Sequence, residues 1–154
     1  MDDIRIETIE QYRRVDEMLA TSGQPSEAQL AALAREGFGV VINLALHDDP
    51  RYSLPDEPAL VHSLGMAYVH IPVAFAAPQE SDLWTFFDAM DKHQGRKLLV
   101  HCAANMRVPA FLGLYRAIKQ GVSDDEAFAL MKSIWEPNTV WAAFIESMLQ
   151  KHRM

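Results

Sequence analysis

Lys97-Leu98-Leu99-Val100-His101-Cys102-Ala103-Ala104-Asn105-Met106-Arg107-Val108-Pro109-Ala110-Phe111 reads as a buried strand, a tight loop of small residues and the start of a helix. Leu98 to His101 is a short apolar run of the kind found in sheets covered on both faces. Small Ala103 and Ala104 let the backbone close round a ligand, Asn105 tolerates a left-handed conformation, and Pro109 fits the first helical turn. A cysteine between a strand and a helix lies near unpaired backbone N–H groups and the positive end of the helix dipole, which stabilise a negative sulfur. Arg107 adds a planar cation able to grip two oxygens of one phosphate or sulfate. Cys102 is therefore the nucleophile candidate, and residues 103–107 are the candidate oxyanion cradle.

Outward from this stretch, two similar strand runs precede it, Val40-Val41-Ile42-Asn43-Leu44 and Tyr68-Val69-His70-Ile71, with a weaker one over Met18 to Ser22. Helical spacing recurs at Leu30, Leu33 and Ala34, at Leu83, Phe86, Phe87 and Met90, and at Phe111, Leu114, Tyr115 and Ile118. It recurs again over Ala127 to Ile134 and over Trp141 to Met148. Ser26 with Gln29 and Ser123 with Glu126 have the form of capping boxes, and Gly37 closes the first helix. Strands alternate with helices in the first half, and helices dominate the second. The order predicts an α/β domain: a small, mostly parallel central sheet flanked by helices, with a helical C-terminal layer. Two connections leave the carboxyl edge of the sheet, where ligands of open α/β sheets gather: the loop from His47 to Pro58 and the segment from His70 to Ser81.

The chain has 154 residues, one domain's worth, with 49% apolar and 23% charged residues, enough to bury a core. A net charge of -7 argues against a sequence-blind grip on nucleic acid while leaving room for a local anion site. Cys102 is the single cysteine, so no intrachain disulfide forms. The N-terminus lacks the basic start and apolar run of a signal peptide, and no stretch approaches the roughly 18 apolar residues that span a bilayer. The expectation is a cytoplasmic protein without membrane or nucleic-acid partners.

The segment His101-Cys102 through Arg107, after a buried strand and opening a helix, resembles the signature loop of the cysteine-dependent protein tyrosine and dual-specificity phosphatase superfamily. Thr21-Ser22-Gly23-Gln24-Pro25, Val41-Ile42-Asn43-Leu44, His70-Ile71-Pro72-Val73 and Ile134-Trp135-Glu136-Pro137-Asn138 resemble parts of a bacterial subgroup, so the likeness covers most of the chain. It implies one phosphatase-like domain over residues 1–154. It also implies a metal-free, cofactor-free, two-step hydrolysis: Cys102 attacks phosphorus, Arg107 and the loop amides hold the oxygens, and water cleaves the cysteinyl-phosphate. The substrate would be a phosphorylated small molecule or protein, and a phosphate or sulfate ion would occupy the loop.

Three departures from that pattern predict slow turnover or none. Four residues separate Cys102 from Arg107, where the superfamily usually has five. Val108 and Pro109 stand where a Ser or Thr usually assists the second step. Residues Ala74 to Pro78, where the general-acid aspartate usually lies, hold no carboxylate. Asp82 becomes the acid candidate, although its place at a helix start is also explained by the dipole. Glu80, Asp48 and Asp49 are runners-up. The four-residue spacing also resembles the persulfide loop of rhodanese-type sulfurtransferases, the alternative reading, and an inactive phosphate-binding module is a third. His101 is read as a brace for the loop, Asn105 as a turn residue or loop ligand, and His47 and His70 as satisfied polar groups. Trp135 and Trp141 are assigned to packing of the last helices.

Overall fold

The computed structural model describes residues 4–46 and 53–152. After a short 3-10 turn at Ile6–Thr8 the elements are β1 (Arg13–Asp16), β2 (Leu19–Ser22), α1 (Glu27–Arg35), β3 (Val40–Asn43), α2 (Glu57–Ser63), β4 (Ala67–His70) and α3 (Glu80–Lys92). They continue with β5 (Leu98–His101), α4 (Arg107–Lys119), α5 (Asp124–Ala127), α6 (Ala129–Ile134) and α7 (Thr139–His152). The five strands form one sheet in the order β1-β2-β5-β3-β4. The β2, β5, β3 and β4 neighbours are parallel, and β1 closes one edge as an antiparallel hairpin partner of β2.

Alternation along the central strands explains why both are buried throughout. Val40, Ile42, Leu98 and Val100 enter one core with Phe86, Phe111 and Trp141 from α3, α4 and α7. Val41 and Leu99 enter a second core with Leu30 and Leu33 of α1 and Val61 of α2. Period-two side chains thus find a helical layer on each face. At about 1.5 to 3 kcal/mol per fully buried large apolar side chain, β3 and β5 are fixed by burial far more than by strand propensity.

The expected architecture is observed. Helix α1 carries a complete capping box between Ser26 and Gln29, and Gly37, at φ 91°, follows its last turn. Three expectations are corrected, and one strand was not anticipated. The run from Ala127 to Ile134 is two short helices, because Phe128 interrupts it and lays its ring on Gly113, where a Cβ would meet ring carbons at 2.4 Å. Tertiary contact overrides the continuous helical spacing there. The Ser123 box is half made: its hydroxyl accepts from the Glu126 amide. The loop predicted to run from His47 to Pro58 gives way to α2 at Glu57, capped by Asp56 with Pro58 in the first turn. Strand β1, polar and half exposed, left no apolar signal in the sequence. His47, Asp48 and Asp49 lie outside the described residues.

Candidate active site

The strands end in a polar row. Parallel register aligns Ser22, His101, Asn43 and His70 at the carboxyl edge of β2, β5, β3 and β4. Among the described residues the buried polar and charged side chains are Thr21, Ser22, Asn43, Glu57, His101, Asn105 and Arg107. All seven stand at this edge or on the loop and helices beside it. Buried polar groups require partners, so their concentration marks the loop after β5 as the candidate site.

Cys102 is 1% exposed, and its amide donates to Ser22 O at 3.3 Å. The next residues lie against the turn after β2. Gln24 N–H donates to Ala103 O at 3.0 Å, and Gly23 bridges Ala104. A Cβ on Gly23 would meet Ala103 O at 2.5 Å, so only glycine lets the two backbones approach this closely. Asn105 adopts φ 58°, the left-handed conformation its short polar side chain permits. Its Nδ2 donates to Gln11 O and Thr21 Oγ1, each at 2.9 Å. Asn105 is therefore both turn residue and tether. Among the described residues the amides of Ala103, Ala104 and Met106 make no hydrogen bond, and the first amides of α4 have no partner within the helix.

Arg107 occupies the first position of α4 and is 8% exposed. Its Nη1 donates to Val73 O at 2.8 Å, and its guanidinium lies 5.9 Å from the Phe75 ring centre. The buried Nε has no hydrogen-bond partner, and among the described residues no carboxylate pairs with the side chain. The segment after β4 is thus drawn over the loop, as its exit from the same sheet edge predicts. It is fastened a second time where Trp141 Nε1 donates to Phe75 O at 2.7 Å. Trp135 and Trp141 pack with Phe75 in one aromatic cluster.

Behind the loop, His101 is held by a residue the sequence reading passed over. Its Nε2 lies 2.7 Å from Glu57 Oε2, both side chains being fully buried, and its Nδ1 lies 3.3 Å from Cys102 O. Gln24 Nε2 donates to the other Glu57 oxygen at 2.7 Å, and the Tyr68 hydroxyl hydrogen-bonds Glu57. Burial first, then the negative charge of Glu57, holds the Tyr68 phenol well above its usual range. The Asp56 cap and Pro58 are the sequence signals that would have placed Glu57 on a helix.

The carboxylate candidates separate. Asp82 Oδ2 accepts from the Gln79 amide at 3.3 Å as the cap of α3, and burial raises its carboxyl above the ordinary aspartate value. Glu80 is spent elsewhere: Lys151 and His152 of α7 each reach it at 2.7 Å. The Lys151 hydrogen bond leads in holding Glu80 below the usual carboxylate range. His70 is satisfied at Ala45 O, 2.6 Å away. Among the described residues no group of three His, Cys, Asp or Glu side chains has the arrangement of a metal site, and no helix is long and apolar enough to cross a membrane.

A mostly parallel sheet with a Cys-to-Arg loop between its central strand and a buried helix defines the cysteine-dependent protein tyrosine and dual-specificity phosphatase superfamily. Within it, the chain belongs to the family described as DSP-PTPase phosphatase fused to NAD+ kinase, whose pattern it matches over residues 6–142. A candidate phosphatase of Shewanella putrefaciens CN-32 superposes with a TM-score of 0.84 at 35% identity, covering 96% of both chains. The active form of Tk-PTP superposes at 0.76 with 22% identity, over 94% of this chain and 98% of that one, which shows the shared fold. The beta-lactamase hydrolase-like protein of Xylella fastidiosa strain Temecula1 is 32% identical over 118 residues, 75% of this chain. This chain spans 27% of that relative's length.

Proposed function

We propose that this domain is a slow cysteine-dependent phosphatase acting on phosphate monoesters of a small molecule or protein. The observation that carries the reading is Arg107: a guanidinium buried beside the Cys102 loop that, among the described residues, pairs with no carboxylate and leaves its Nε–H without a partner. A buried charge is costly without a counter-ion, and an oxyanion held by Arg107 and the loop amides supplies one. The Cys102 sulfur attacks phosphorus, the phosphorus–oxygen bond to the leaving group breaks, and Asp82 is the candidate donor of the leaving-group proton. The raised carboxyl of Asp82 suits that role. Water then cleaves the sulfur–phosphorus bond and restores the thiolate.

The second step is the slow one. Val108 and Pro109 offer no hydroxyl to the departing sulfur, and the neighbouring Ser22 hydroxyl donates to Gly23 O at 2.8 Å. A lost hydrogen bond to a charged group is worth about 1.5 to 3 kcal/mol, or one to two powers of ten in rate. Rapid mixing with an activated aryl phosphate is expected to release close to one aryl alcohol per enzyme before a slow steady state. A progress curve linear from the first turnover would place the slow step in formation of the phosphoenzyme instead.

The four-residue spacing supports a second reading, sulfur transfer through a persulfide on Cys102. Thiocyanate formation from thiosulfate and cyanide that far exceeds phosphate release would put sulfur transfer in place of phosphate hydrolysis.

A further inference from the structure

Glu57 is the buried carboxylate among the described residues, and it sits on α2, outside the signature loop. Its desolvation is offset by Gln24 Nε2 at one oxygen and His101 Nε2 at the other, each at 2.7 Å, with Tyr68 as a further donor. Both ring nitrogens of His101 face oxygen: Glu57 Oε2, and Cys102 O at 3.3 Å. A carbonyl only accepts, so Nδ1 carries hydrogen and donates to Cys102 O, while the contact with Glu57 fixes the other side of the ring. The acceptor at Cys102 belongs to the peptide whose N–H is that of Ala103, one of the loop amides with no partner among the described residues. Hydrogen bonding at one end of a peptide strengthens its donor at the other.

We propose that Glu57 is a positioning residue for the oxyanion cradle: through His101 it fixes and polarises the Cys102–Ala103 peptide, making the Ala103 N–H a stronger donor to a bound oxyanion. The inference rests on the oxyanion reading of the loop, and the test separates the two. Orthovanadate is titrated as a protectant against iodoacetamide alkylation of Cys102 in the wild type, Glu57→Gln, Glu57→Asp, His101→Asn and the Glu57→Gln/His101→Asn pair. Folding of each is checked by circular dichroism. Protection of the wild type, with roughly tenfold weaker protection in Glu57→Gln and no further loss when that change is added to His101→Asn, supports the proposal. Ring ¹⁵N shifts of His101 should show hydrogen on Nδ1 in the wild type and a changed environment at Nε2 in Glu57→Gln. Equal protection in Glu57→Gln, or losses that add in the double variant, would overturn it, since a merely structural Glu57 acts independently of His101. If Glu57→Gln does not fold, Glu57→Asp decides: weaker protection supports the proposal and unchanged protection overturns it. A wild type that orthovanadate does not protect removes the oxyanion reading itself, and this inference with it.

Discussion

Cys102→Ser is expected to lower aryl phosphate turnover by roughly a thousandfold or more while the protein stays folded and keeps its affinity for phosphate. Cys102 is buried among Val100, Val108 and Phe111 in the larger apolar core, and serine is nearly its isostere, so the cradle survives. The reaction does not, because a hydroxyl at this position is not ionised and no base stands assigned to it. Steady-state hydrolysis and calorimetric phosphate binding on the same preparation check both halves. A serine variant that retained turnover would remove Cys102 from the chemistry. Loss of binding together with turnover would mean only that the loop had collapsed.

Arg107→Lys is expected to cost about a hundredfold to a thousandfold in turnover although the charge is conserved. The guanidinium does two things a lysine cannot combine. It spends Nη1 on Val73 O at 2.8 Å, holding the segment after β4 over the loop, and its Nε–H, unpartnered among the described residues, is the donor proposed for the anion. An ammonium group is a compact point charge without that fork. Measurement of kcat and KM separately should show both worsened, since the fork grips the ground-state oxygens and grips the transition-state oxygens more tightly still. Activity within a few-fold of the wild type would mean that the loop amides suffice and that the buried guanidinium serves the fold alone.

How much of this was legible in the sequence depended on whether the deciding force was local. The stretch from Leu98 to Arg107 was readable because apolar strand, small-residue turn and helix start are each specified by neighbouring residues. The structure returns Asn105 in the left-handed region and Arg107 at the helix start. The capping box at Ser26 is equally local. What escaped was set by contacts distant in sequence. Strand β1 is polar and exists because β2 offers it an edge. Phe128 breaks a continuous helical pattern because Gly113 of α4 leaves room for its ring. Glu57 stood inside a charged, proline-bearing stretch that reads as solvated loop, and its partners His101 and Gln24 lie 44 and 33 residues away along the chain. For Asp82 the local reading remains informative: the helix dipole explains its place, and the structure shows its carboxylate capping α3.

The central claim is that Cys102, Arg107 and the loop amides enclose one oxyanion that phosphorus chemistry uses. A crystal of the protein soaked in orthovanadate tests it directly. The account predicts a vanadium atom joined to Cys102 Sγ, with oxygens on Arg107 Nε and on the amides of Ala103, Ala104 and Met106. An empty loop with vanadate bound elsewhere, or Arg107 turned away from an anion in the loop, would contradict it.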